Sequence, residues 1–292
     1  MRQRWTTRMA WLFFGLVCLV ALVTLISQLA LRDSAEPILE LVSGASWILF
    51  PIGFALVAAL IISYQPENLI GWLLMLPSIA FTLENPIEVY LGTFTAAPVN
   101  PSPWFLTLLW FDSWSWLLLI FPILLIILLF PTGQPPSPRW RWVLRAAPVI
   151  FFLSLGVISF TPGLSPGDGS WTMTNPIGFL SERSVAILLP IFGITFIGFI
   201  LFCAASIFVR FRRAAAVERE QIKWLLFACG LFLMFYLPLL ALNLTTDVWQ
   251  DSALFVILLM VAILAFPAAI AIAILRYRLW DIDIIIRKTL LY

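Results

Sequence analysis

Histidine is missing from this sequence altogether, and charged residues make up only 11% of its 292 positions. Without histidine the chain holds no histidine-based catalytic triad, no histidine metal site and no phosphoacceptor histidine. Cysteine is nearly as scarce. Cys18, Cys203 and Cys229 all lie inside long apolar runs, so a disulfide scaffold is excluded and the thiols read as small apolar packing residues. Gly-rich phosphate loops, Cys-x-x-Cys pairs and Gly-x-Ser-x-Gly elbows are absent too. No internal repeat is visible, so an inverted-repeat transporter gains no support. The sequence therefore offers no catalytic residue, no metal ligand set and no cofactor site.

What the chain has in abundance is apolar surface. Residues of the AVILMFWYC set reach 62%, against roughly 45–50% in soluble domains. A water-soluble fold of this length could not hide so much, and an integral membrane protein follows. About 20 apolar residues are needed to cross a bilayer core. Eight such stretches are present, at Met9–Leu31, Ser46–Tyr64, Leu69–Leu91, Trp104–Phe130, Val143–Phe160, Arg183–Val209, Ile222–Asn243 and Ser252–Leu275. The alternation expected of barrel strands is missing. The fold class is all-α, a polytopic transmembrane bundle over residues 1–275, followed by an amphipathic juxtamembrane segment at 276–292. The first stretch follows Arg2, Arg4 and Arg8 like a signal peptide, but it exceeds the 7–15 residues or so of a cleavable apolar region and reads as an uncleaved span.

Lysine and arginine set the expected topology, because each resists translocation. Of the 17 basic residues, 15 fall on one face, in the two tails and in the loops around Arg139–Arg145 and Arg210–Lys223. The opposite face holds Arg32 and Arg183. Asp33, Glu36, Glu40, Asp168, Asp247 and Asp251 lean towards that second face. Both termini are expected in the cytoplasm and the protein in a bacterial cell membrane, with lipid as its first partner. Trp140 and Trp142, interleaved with Arg139 and Arg141, read as an anchor on anionic lipid. Nucleic acid is no partner for so few cations beside a membrane.

Polar residues near the second face are the candidate ligand site. Glu84 and Glu88 share one helical face if the third span continues through Pro86. If Asn85-Pro86 ends that helix, both carboxylates sit in water at the boundary, and the nearby polar loop favours this alternative. Carboxylates at membrane depth need a counter-charge or water. With Asp112 and Trp110 at the start of the fourth span they define an expected shallow cavity. Trp104, Trp110, Trp114 and Trp116 also fit an interfacial aromatic belt. Residues 161–170, with Gly163, Gly167 and Gly169, read as a flexible outer loop. Pro51, Pro77, Pro122, Pro190, Pro238 and Pro267 fall within or near the ends of spans, where each can kink its helix.

Two basic segments complete the inventory. Arg210–Trp224 is rich in alanine and glutamate and reads as a helical continuation of the sixth span. Its charges fit either a solvated face or a docking surface for a cytoplasmic domain. Leu275–Lys288 offers Arg278 near Asp281 and Asp283 near Arg287, with Leu279, Ile282 and Ile286 on an apolar face. Together with Arg276 and Trp280 it describes a signal-output segment lying in the membrane interface. The chain stops inside an apolar pattern, which reads as a product that ends before further domains.

Four stretches carry a resemblance. Ile274–Tyr292 is similar to the juncture of a family of multi-pass bacterial sensor histidine kinases, which includes quorum-sensing kinases of the competence type. Gln65–Leu74, Leu129–Trp140 and Val217–Leu225 resemble that family's turns after the second span, after the fourth and before the seventh. The resemblance implies a sensing or anchoring module whose kinase portion is absent here, with a cytoplasmic kinase domain or partner and a second copy of the chain as candidate partners. The chain itself is expected to catalyse nothing. A small-solute or ion transporter, or a channel, is the alternative, motivated by kinked spans and by Glu84 and Glu88.

Overall fold

The computed structural model describes residues 2–31, 38–167, 169, 171–243 and 253–276. Arg276 ends the described chain, so Arg278, Trp280, Asp281, Asp283 and Arg287 of the expected output segment lie outside it. Nine α-helices are formed among the described residues: α1 (Arg2–Leu31), α2 (Ile38–Tyr64), α3 (Leu69–Leu91), α4 (Pro103–Ser115), α5 (Leu117–Leu129), α6 (Arg141–Ser159), α7 (Glu182–Arg213), α8 (Ala216–Asn243) and α9 (Ala253–Ala271). Helices α4 and α5 meet at Trp116 and together make one crossing, so the described residues form eight helical spans long and apolar enough for a membrane. This is the all-α polytopic bundle expected. In hydrocarbon every backbone donor needs an internal acceptor, and for apolar runs of this length the helix supplies them all.

Two boundaries differ from expectation. Helix α3 does not end at Asn85-Pro86 but continues to Leu91, with both Pro77 and Pro86 inside it. A proline removes one donor; ending the helix in lipid would strand several backbone groups. Helix α7 stops at Arg213, and the chain turns through Ala214 and Ala215 before α8. Alanine favours helix, yet Ala214 is extended (ψ 143°), because the chain must reverse there to recross the membrane.

Helix α2 is the hub, packed against α1, α3 and α9; α3 also packs on α5, and α8 on α9. Phe50, Phe54, Ile61, Ile62, Ile70, Leu74, Ile126 and Leu128 are fully buried there. Close approach of α2 and α3 depends on Gly71. A Cβ at that position would stand 2.8 Å from Ile62 Cγ1, and small residues of this kind let membrane helices touch. Helix α7 is peripheral. Ile187, Ile191, Ile194, Ile197, Leu201 and Phe208 project outward as an apolar face suited to lipid tails.

A second, smaller core stands apart from the first. The segment read as a flexible outer loop instead folds, with Gly163–Leu164 pairing antiparallel to Met173–Thr174. Leu164 and Trp171 are buried against Leu91, Phe105 and Leu109. Trp171 Nε1 donates to the Phe94 carbonyl at 2.9 Å, and buried Asn175 donates to the carbonyls of Ser159 and Thr161. Glycines in this stretch suggested freedom, but the tryptophan and the asparagine side chain supply the anchors.

Candidate functional site at the acidic end

Alternation of the spans gathers the basic loops at one end of the bundle and the acidic ones at the other. At the acidic end a cavity of about 330 Å³ opens between α1, α2, α3, α4 and the folded loop. Gln28, Trp47, Asn85, Glu88 and Asp112 bring polar groups to its wall, and Pro166 and Gly167 edge it. Of the four candidate residues, Glu88 and Asp112 are brought together at this cavity. Glu84 and Trp110 do not line this cavity. The Glu84 carboxylate accepts a hydrogen bond from buried Ser115 at 2.8 Å and lies within electrostatic reach of Asp112 and Glu88. Trp110 turns away to donate to the Ser159 carbonyl at 3.2 Å.

Continuation of α3 through Pro86 creates this arrangement. Ser78, Thr82 and Asn85 recur at helical spacing on its buried side. Ser78 donates across to the Pro51 carbonyl of α2 at 2.8 Å, and Thr82 donates back to Ser78 at 2.7 Å. Asn85 is 8% exposed and makes no side-chain hydrogen bond among the described residues. Gln28 Oε1 is likewise buried without a partner among them. The sequence reading missed Gln28, Trp47 and the lining role of Asn85. A polar stripe at 78, 82 and 85 inside an apolar span was the signal available. No group of three or more metal-ligating side chains is formed among the described residues.

At the basic end, turns that carry the resemblance meet. Asn68 caps α3 by accepting from the Ile70 amide at 3.0 Å, and Trp72 Nε1 donates to the Pro66 carbonyl. Gly133 has φ +75°, a left-handed conformation that glycine adopts without strain, and it abuts Asn68. Arg210, 8% exposed, donates to Thr132 Oγ1 and Glu218 at 3.1 Å each and to the Gln134 carbonyl. Gln221 Nε2 donates to the Ala273 carbonyl at 2.7 Å, tying α8 to the π-helical turn Ile272–Arg276 that ends the described chain. Arg212, Arg213 and Arg219 are exposed, so only part of the segment is a solvated basic face.

Comparison with protein-family models, with curated proteins and with solved structures finds no match to this chain. What stands is the class: a multi-span helical membrane protein.

Proposed function

We propose that the chain is the membrane-embedded input module of a bacterial signal-transduction protein, sensing at the acidic end and delivering its output at the basic end. The observation that carries this reading is the asymmetry of the bundle. A polar cavity opens at the acidic end, while the basic half is filled by Ile61, Ile62, Leu74, Leu128 and Leu129, all fully buried. A transporter needs a route through that half. Helix α2 packs against both the cavity-lining α3 and the outgoing α9, so a displacement near the cavity has a contiguous packed path to the C-terminal turn. In this reading the positive-inside rule places both termini in the cytoplasm, the membrane is the bacterial cell membrane, and the chain performs no catalysis itself. A cytoplasmic kinase domain or partner receives the signal.

Proteoliposome flux decides between sensing and transport. Vesicles with the reconstituted chain are expected to leak small cations and neutral solutes no faster than protein-free vesicles. Saturable flux that falls in a Glu88→Gln, Asp112→Asn double variant would establish the transporter instead. Single-cysteine labelling in cells is expected to reach position 173 from outside and position 139 only from inside.

A further inference from the structure

We propose that the acidic-end cavity is a binding site for a small organic cation bearing N–H donors, an alkylammonium or a guanidinium. The inference deepens the sensory reading by naming its ligand class. Two carboxamides on its wall argue for a ligand of some kind. Gln28 Oε1 is buried with no hydrogen-bond partner among the described residues, which interiors rarely tolerate. Asn85, 8% exposed, lines the same cavity with no hydrogen bond from its side chain among those residues. Glu88 and Asp112 line the same cavity, with Glu84 within electrostatic reach of both.

The shared chemistry of these groups is acceptance. Gln28 Oε1, the carboxamide oxygen of Asn85 and two carboxylates suit a ligand rich in donors. Charge points the same way at longer range. Among the described residues the acidic end carries Glu84, Glu88, Asp112 and Glu182 against Arg183, and a negative cleft concentrates cations. Trp47 adds an aromatic wall, a surface that attracts ammonium and guanidinium groups. The volume of about 330 Å³ falls at the small end of ligand sites.

The donor requirement separates this proposal from simple counter-ion attraction. A quaternary ammonium carries the charge but cannot satisfy Gln28 Oε1. The test is calorimetric titration of the full chain in lipid nanodiscs at matched ionic strength, with agmatine, putrescine and tetramethylammonium as probes. Agmatine or putrescine is expected to bind saturably, and tetramethylammonium at least about ten-fold more weakly, as befits the loss of a buried hydrogen bond to a charged donor. Asn85→Leu is expected to lower affinity by a similar factor. Gly167→Leu is expected to abolish binding without altering the melting temperature, because a Cβ there already stands 4.0 Å from Asp112 Oδ2 and a longer side chain fills the cavity edge. Absence of saturable binding by any probe, or equal binding of tetramethylammonium, overturns the proposal. Either result leaves the sensory reading intact, since that rests on flux and topology.

Discussion

At the basic end, Arg210 reaches Thr132, Gln134 and Glu218, and Gln221 reaches Ala273; at the acidic end, Gln28 Oε1, Trp114 Nε1 and Ser159 Oγ are buried with no partner among the described residues. Both ends are built on the same helices and both bury satisfied polar side chains, Asn175 among them at the acidic end, but the unsatisfied ones named here gather at the acidic end. A satisfied buried group fixes geometry, because any displacement costs its hydrogen bonds. An unsatisfied one costs stability and is retained where something else comes to meet it. On the reading proposed above, the difference makes the basic end architecture and the acidic end a place of exchange.

The sharpest way to break this comparison is to remove the basic-end anchor. Arg210→Ala leaves Glu218 and the Gln134 carbonyl without their donor, and is expected to cost about 3 kcal/mol. Arg210→Lys should recover only part of that, since one ammonium cannot span three acceptors in different directions. Melting of the detergent-solubilised protein reads both, and an unchanged melting temperature in Arg210→Ala would mean that the basic end is not locked. Next in size is Gly71→Ala. The added methyl meets Ile62 and Ile61 and should cost about 2 kcal/mol by forcing α2 and α3 apart. The smallest effect has the opposite sign. Asn85→Leu replaces a cavity-lining carboxamide that makes no hydrogen bond among the described residues with an apolar side chain, and is expected to stabilise the bundle by at most about 1 kcal/mol. A loss of stability there would show that Asn85 serves the architecture, and would erase the contrast between the ends.

Much of this molecule was legible before its fold was seen, for a physical reason. Lipid offers the backbone no hydrogen bonds, so a run such as Leu117–Leu129 has one solution, and all eight spans could be read from apolar length alone. Pro86 shows the limit of transferring rules from water, where a proline so near a polar loop commonly ends a helix. Ala214 and Ala215 show another limit, because local propensity says nothing of a chain that must turn back. In the site, Glu88 and Asp112 announced themselves as charges beside a membrane. Asn85 and Gln28 did not, since an amide acquires meaning only from what surrounds it, and burial is set by the packing of α1 and α2 against α3. Trp110 looked like part of the cavity because it sits two positions from Asp112 in sequence, but residues two apart on a helix point to nearly opposite sides.

The second core has a consequence for how the protein comes apart. The folded loop, with Leu164 and Trp171, rests on Leu91 of α3 and on Phe105 and Leu109 of α4, so it can open locally while those helices stay packed. Amide exchange should divide accordingly. The amides of Asn175 and Leu180, bonded to Pro162 and Phe160, would exchange at the rate of the small unit, while that of Gly133, bonded to Leu129, would wait for the large one. Opening of the folded loop is therefore expected to need less free energy than unfolding of the helices that carry it.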